Sequence, residues 1–161
     1  MRNNKKGFTL IELLAVIAIL AILVVLAVPA ILRIFNESKD SALVTQAQSI
    51  YKSAEEQIIT DQMRNQSMPI TYCHSVDAEG STHNGANTLE LSGTQAVSYK
   101  IVVNNVTKDG KTQTGITSFV VTDGSKIISL TAETNSVLAI SDIDLTDINS
   151  VDSTHPLPTC D

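Results

Sequence analysis

The feature that most constrains this chain is an uninterrupted run of apolar residues from Leu13 to Val28. About 20 apolar residues, each rising about 1.5 Å along a helix, span the hydrocarbon core of a bilayer. Leu, Ala and Ile favour a helix, and a lone segment in lipid satisfies its own backbone only as a helix. We therefore predict a membrane-spanning helix over residues 8–35, a window with four interruptions: Thr9, Glu12, Pro29 and Arg33.

The charges before this window predict its orientation. Arg2, Lys5 and Lys6 stand together at the start, and such clusters stay cytoplasmic, which places the rest of the chain outside. Setting these three residues aside changes the net charge from −6 to −9. An acidic body lacks the basic patch that nucleic-acid binding needs, so we expect membrane lipid and no direct nucleic acid as partner.

Two ordinary interpretations of the apolar run are a cleaved secretory signal and a single-span anchor. Residues 28–30 resemble a weak signal-cleavage site, but a secretory apolar region is usually about 7–15 residues long. An anchor explains the length and the charge bias, yet neither interpretation explains Glu12. A carboxylate inside a span costs on the order of 2–3 kcal/mol, so it is expected to meet a positive partner or to mark function.

Residues 5–12 read K-K-G-F-T-L-I-E and lead directly into the apolar run. This segment resembles the cleavage and methylation signature of type IV prepilins and their relatives, the pseudopilins and competence pilins. The resemblance covers the first 35 residues by motif and the remainder by layout alone. It implies that a prepilin peptidase cuts between Gly7 and Phe8, and that the new amino group of Phe8 is then methylated.

The resemblance also implies roles in assembly. Glu12 would pair with the Phe8 amine of a neighbouring subunit, which supplies the counter-charge that a buried carboxylate needs. Pro29 matches a proline often found in this helix. A kink or local melting is expected there, because proline lacks an amide hydrogen and clashes with the preceding turn. The implied partners are further copies of the chain, in a helical homopolymer, and the pilus assembly machinery of the membrane.

The first part of the remaining chain, about residues 36–65, is predicted to be an amphipathic helix that ends before Pro69. Its apolar residues recur at steps of three or four, which places them on one buried face. They are Leu43, Ala47, Ile50, Ala54 and Ile58.

Residues 66–96 are rich in Gly, Ser and Asn without a sustained period, and we predict a connecting loop there. An antiparallel sheet is predicted over about 97–140, from alternating apolar residues and two Asp-Gly turns. Its strands are expected at 97–103, 116–122, 125–131 and 137–140. A long helix packed on this sheet is an α+β fold.

Cys73 and Cys160 are expected to form a disulfide if the body is extracellular, although a reduced pair stays open. Calcium binding by the tail is a weaker alternative to a solvated acidic loop, because the sequence lacks the glycine and terminal Glu of an EF-hand. Some major pseudopilins do bind calcium near their C-terminus. The aspartates concerned are Asp142, Asp144, Asp147 and Asp152.

A zinc site built from both cysteines and the three histidines matches no recognised spacing, so we expect no metal. No residue pattern selects a catalytic triad, a phosphate loop or a carboxylate pair. We therefore expect neither an enzyme nor a cofactor.

The sequence therefore divides into a leader (1–7), an assembly helix (8–35) and a globular head (36–161). The leading hypothesis is a subunit of a surface type IV pilus that supports adhesion, aggregation or motility. One alternative is a pseudopilin or minor pilin of a type II secretion or competence system. Another is a monomeric, membrane-anchored extracellular binding domain, in which Glu12 has no essential role.

Overall fold

The computed structural model describes residues 8–77, 80–91 and 97–160. The predicted leader, with Gly7, lies outside the described residues. The chain divides into two compact units, residues 1–39 and residues 40–161. Helix α1 (Leu10–Met63) begins in the first unit and ends in the second.

In the first unit, every described side chain from Phe8 to Lys39 is exposed in the isolated chain. Among the described residues, α1 is the one helix long and apolar enough to cross a membrane, with a mean hydropathy of 3.2 in its most apolar window. Of the kink or local melting expected at Pro29, the melting is wrong, because the helix continues through this residue, and the kink stays a prediction. Proline cannot donate to the carbonyl of Val25, but a single missing hydrogen bond leaves the flanking turns intact.

The second unit begins with the remainder of α1, whose buried face confirms the predicted apolar stripe. The buried residues of this helix are Leu43, Ala47, Ile50, Tyr51, Ala54, Ile58 and Asp61. All of them except Asp61 join a single hydrophobic core with the inner face of a sheet, where the rings of Tyr51 and Phe119 meet edge to face at 5.8 Å. Burial of this stripe, and not helix propensity alone, holds this part of the helix in place.

The sheet has six strands in the order β2-β1-β3-β4-β5-β6, and all neighbouring strands are antiparallel. This sheet with the helix on it confirms the predicted α+β fold. The strands are β1 (Ile70–Val76), β2 (Thr82–Asn84), β3 (Ser98–Lys108), β4 (Lys111–Thr122), β5 (Lys126–Thr131) and β6 (Ile148–Ser150).

Two parts of the predicted layout are wrong. Residues 66–96 are not one loop, because β1 and β2 lie within them. The alternating Ile70 and Tyr72 of β1 are both buried in the core, and this short pattern was hidden by the polar residues that follow. β2 is fully exposed and carries no apolar period, so only its pairing with β1 defines it.

The predicted strand at 137–140 is also wrong. Leu138 is buried and its amide donates to the carbonyl of Ile116 at 2.8 Å, but no ladder of hydrogen bonds follows. The chain instead turns into a short 3₁₀ helix at Ile140–Asp142 and a second at Leu145–Asp147. The apolar character of this segment therefore reflects core packing without strand pairing.

Candidate assembly site

The start of α1 forms a capping box between Thr9 and Glu12. The Glu12 carboxylate accepts hydrogen bonds from the backbone amide and the hydroxyl of Thr9, both at 2.8 Å. The Glu12 amide in turn donates to the Thr9 hydroxyl at 3.4 Å. A threonine followed three residues later by glutamate satisfies free amides at a helix N-terminus, so this pair fixes where α1 begins.

No cation among the described residues reaches Glu12. The one basic residue between Phe8 and Phe35 is Arg33, near the opposite end of the apolar window, and it bonds Glu37 at 2.9 Å. Both Thr9 donors bond the Oε2 atom of Glu12, and neither neutralises its charge. A negative charge at a helix N-terminus is favourable, but burial among apolar helices would still require a positive partner.

The predicted site residues fall in three places around this box. Phe8 precedes the helix and is 91% exposed, Glu12 lies in the first turn, and Pro29 lies in the helix interior. Gly7 lies outside the described residues. Thr9 was missed as a site residue, although its spacing from Glu12 just before an apolar run is the sequence signature of a capping box.

The two cysteines lie together in the head. Cys73 on β1 and Cys160 near the C-terminus form a disulfide with Cα atoms 5.6 Å apart. The Lys100 ammonium donates to the backbone carbonyl of Thr159 at 3.0 Å, on the same tail. Thr159 and Cys160 are therefore attached to β3 and β1 at two residues, Lys100 and Cys73, that pair with each other in the sheet.

A buried carboxylate links α1 to β1 in the head. Asp61 is 3% exposed and accepts hydrogen bonds from the Tyr72 hydroxyl at 2.6 Å and the Gln57 amide at 3.2 Å. Burial, followed by the bond to Asp61 and its charge, raises the pKa of the Tyr72 hydroxyl. Sequence reasoning missed Asp61, although it lies three residues after Ile58 on the same helical face.

The tail aspartates serve the turns in which they lie. Asp144 accepts from the Thr146 amide, and Asp147 accepts from the Asp144 amide at 3.0 Å. Asp142 accepts from the Ala139 amide at 2.8 Å. The hydrogen bonds from the Thr146 hydroxyl and then from the Thr146 amide lower the pKa of Asp144.

The fourth tail aspartate, Asp152, accepts from the Thr154 hydroxyl and from the amides of Thr154 and His155. These bonds, the hydroxyl first, lower the pKa of Asp152 to about 2. In the part of the chain that the structure describes, no group of three or more His, Cys, Asp or Glu residues is placed to hold a metal ion.

Comparison with known proteins adds one finding at the N-terminus. Residues 2–28 match the family model of the prokaryotic N-terminal methylation motif. This motif is typical of type IV pilins and pseudopilins and is recognised by prepilin peptidase. No curated protein and no solved structure matches the chain. The motif and the apolar helix together fit a membrane-anchored precursor.

Proposed function

We propose that this chain, whose N-terminal methylation motif is typical of type IV pilins and pseudopilins, is a structural subunit that polymerises into a surface type IV pilus. The observation that carries the proposal is Glu12, the single carboxylate of residues 8–35, at the first turn of a helix whose side chains are exposed on every side as far as Lys39. A helix of this kind is unsuited to water as a monomer, and assembly would bury its whole surface.

The proposed sequence of events starts with a precursor whose N-terminus is cytoplasmic and whose head is extracellular. Prepilin peptidase cuts between Gly7 and Phe8, and the Phe8 amine is methylated but keeps its positive charge. Before assembly, the two Thr9 donors bond the Oε2 atom of Glu12. On docking, the Phe8 amine of a neighbouring subunit supplies the counter-charge that Thr9 cannot supply.

When the Phe8 amine of a neighbouring subunit pairs with Glu12, the pairing favours polymerisation and sets where each subunit is added. An unpaired carboxylate in lipid is unfavourable by a few kcal/mol, and the free amine of the preceding subunit relieves that cost. Both residues lie at the same end of the helix, so the pairing fixes the axial position of each added subunit. Pro29 lies further along the surface that would pack, where the carbonyl of Val25 is left without its usual donor.

The experiment replaces Glu12 by leucine in the full-length chain, with Glu56→Leu as the matched control. Both changes remove a helical carboxylate, but Glu56 is exposed on the head. We expect Glu12→Leu to leave processed subunit in the membrane with little or no filament in the sheared surface fraction, and Glu56→Leu to assemble. Normal filaments from Glu12→Leu would refute the pairing mechanism and favour a monomeric anchored domain.

The cell fraction in which the wild-type chain is found, sheared surface material or membranes, distinguishes a principal pilus subunit from a pseudopilin or minor pilin. Abundant processed chain in the sheared fraction indicates the principal pilus subunit. Processed chain confined to membranes indicates a pseudopilin or minor pilin of a secretion or competence system.

A further inference from the structure

The hairpin between β3 and β4 extends beyond the rest of the sheet. β3 pairs with β4 as far as Lys108 and Lys111, but β1 accompanies β3 only to Val103, and β5 accompanies β4 only from Ser118. Residues 104–115 therefore form a two-stranded ribbon with no strand beyond either edge among the described residues. Isolated two-stranded hairpins are marginally stable, so such a ribbon gains from a surface to pack against.

On one face of the ribbon, the polar side chains of the two strands form hydrogen bonds with each other. Thr114 donates to Asn105 at 2.6 Å, and the hydroxyls of Thr107 and Thr112 lie 3.0 Å apart. These cross-strand pairs form a polar ladder that holds the two arms together. This face needs no further partner.

The opposite face, which we call the basic face, consists of Val106, Lys108, Lys111 and Gln113. Lys108 lies directly across from Lys111, and Val106 directly across from Gln113. Two like charges opposite each other are unfavourable in a hairpin. Within the described residues, neither lysine has a carboxylate within salt-bridge distance. The basic face thus presents paired positive charges beside the half-buried Val106.

A surface with the complementary pattern lies elsewhere on the same head. The acidic turn, residues 142–147, carries three aspartates and no basic residue. Between the last two aspartates stands Leu145, which is 56% exposed and one of the few large apolar side chains exposed on the head. The local hydrogen bonds of Asp144 and Asp147 hold the carboxylates in place but leave their charge.

We infer that the basic face docks on the acidic turn of a second copy of this chain, an inference that rests on the proposed filament. The head, residues 40–161, has six basic and fifteen acidic residues. Two lysines at one tip, with Asp109 as the one acidic residue between them, are therefore an exception. Each surface has an apolar side chain, Val106 or Leu145, with charged residues around it, and the charges of the two surfaces have opposite sign. An apolar centre with a polar rim is the usual arrangement of an interface. Contacts between different patches of identical subunits are heterologous, and such contacts generate helical filaments.

Charge changes on each surface test the contact. Lys108→Glu with Lys111→Glu reverses the basic face. Leu145→Lys removes the apolar contact and puts a positive charge opposite the lysines, while the three aspartates and their caps stay in place. We expect each variant to lower the filament fraction about tenfold or more, as close charge pairs at interfaces do. Leu145→Glu is the matched control, because it loses the same leucine but keeps the attraction, and should retain more filament than Leu145→Lys.

Combining the changes provides the stricter test, because the lysine introduced at position 145 can pair with the glutamates introduced on the basic face. The triple variant is expected to form more filament than the variant with the two Lys→Glu changes alone. An alternative role for the lysines is to guard the ribbon edges against unwanted pairing. Under that role glutamates would serve equally well, and normal filaments from the double variant would overturn the inference.

Cysteine cross-linking separates this contact from the filament itself. Gln113→Cys with Leu145→Cys in one chain should give covalent multimers in sheared filaments, whereas Gln113→Cys with Glu56→Cys should give single subunits. Filaments that form without the multimers would overturn the inference and leave the proposed function intact. An unprocessed chain with no filaments would instead overturn the proposed function, and the inference with it.

Discussion

The carboxylate of Glu12 accepts two hydrogen bonds from Thr9, one from its amide and one from its hydroxyl, each at 2.8 Å. This pair gives Glu12 two separable properties: it caps the helix that carries it, and it keeps a charge to offer to a neighbouring subunit. Glutamine preserves a capping box but not the charge, which makes the two properties independently testable.

The first prediction separates charge from capping. Glu12→Gln is expected to abolish filament assembly, because the neutral amide cannot pair with a positive amine. Thr9→Val keeps the charge and loses the cap, which costs helix stability about 0.5–2 kcal/mol. It should therefore assemble more filament than Glu12→Gln when both are measured in the sheared fraction. Normal filaments from Glu12→Gln, with little or none from Thr9→Val, would mean that the cap and not the charge is required.

The second prediction concerns the disulfide between Cys73 and Cys160. The bridge closes a loop over a sequence separation of 87 residues and attaches the tail to β1. Replacing both cysteines by alanine is expected to lower the free energy of unfolding by about 2–5 kcal/mol. Alanine is chosen because Cys73 is buried and a serine hydroxyl there would add a desolvation cost. Denaturant unfolding of the purified chain in detergent measures the loss, and unchanged stability would contradict the prediction.

The third prediction concerns the close approach of Gly115 to Val137. A Cβ at position 115 would lie 2.8 Å from a Val137 methyl carbon, closer than side chains pack. Gly115→Ala is expected to destabilise the head by about 1–3 kcal/mol through overpacking. Adding Val137→Ala removes the clashing methyls and should recover part of that loss. A double variant less stable than Gly115→Ala alone would argue against the steric explanation.

The fourth prediction is a loss of head stability in alkali. The three tyrosines of the chain are buried, and burial raises the pKa of each hydroxyl above its usual value of about 10. For Tyr51, burial and the nearby Glu55 and Asp142 raise the pKa to about 12. Because the folded state disfavours phenolate, stability is fully present below pH about 10 and falls as pH rises through the folded values.

Phenolate absorbance and circular dichroism, recorded together through an alkaline titration, check this. We expect the phenolate signal and the loss of head structure to rise together. Complete ionisation of all three tyrosines with the head still folded would contradict the burial seen here.

Periodic patterns predicted the parts of the fold that bury a regular face. The helical stripe from Leu43 to Ile58 was predictable because one side of the helix covers the sheet. The hairpins of β3, β4 and β5 were predictable because Asp109-Gly110 and Asp123-Gly124 supply the positive φ that tight turns require. Glu12 was predictable as a functional residue because a carboxylate inside a membrane-spanning segment is energetically costly.

Features set by contacts distant in sequence were not predictable. β2 has only exposed residues and exists because β1 is beside it. The segment around Leu138 has the composition of a strand, but it packs into the core, where the Tyr51 hydroxyl of α1 donates to the Leu138 carbonyl. The burial of Asp61 was not predictable, because its hydrogen-bond donor, Tyr72, lies on a strand that the sequence did not indicate.

The measurement that tests the central claim most directly is mass spectrometry of the chain N-terminus from a sheared cell-surface fraction, with Gly7→Val as the unprocessed control. The account predicts that the wild-type chain begins at methylated Phe8 and is abundant in that fraction, while Gly7→Val retains Met1 and stays in the membrane. A wild-type chain that still begins at Met1, or that is cut near Ala30, would contradict it and identify an anchored or secreted domain instead.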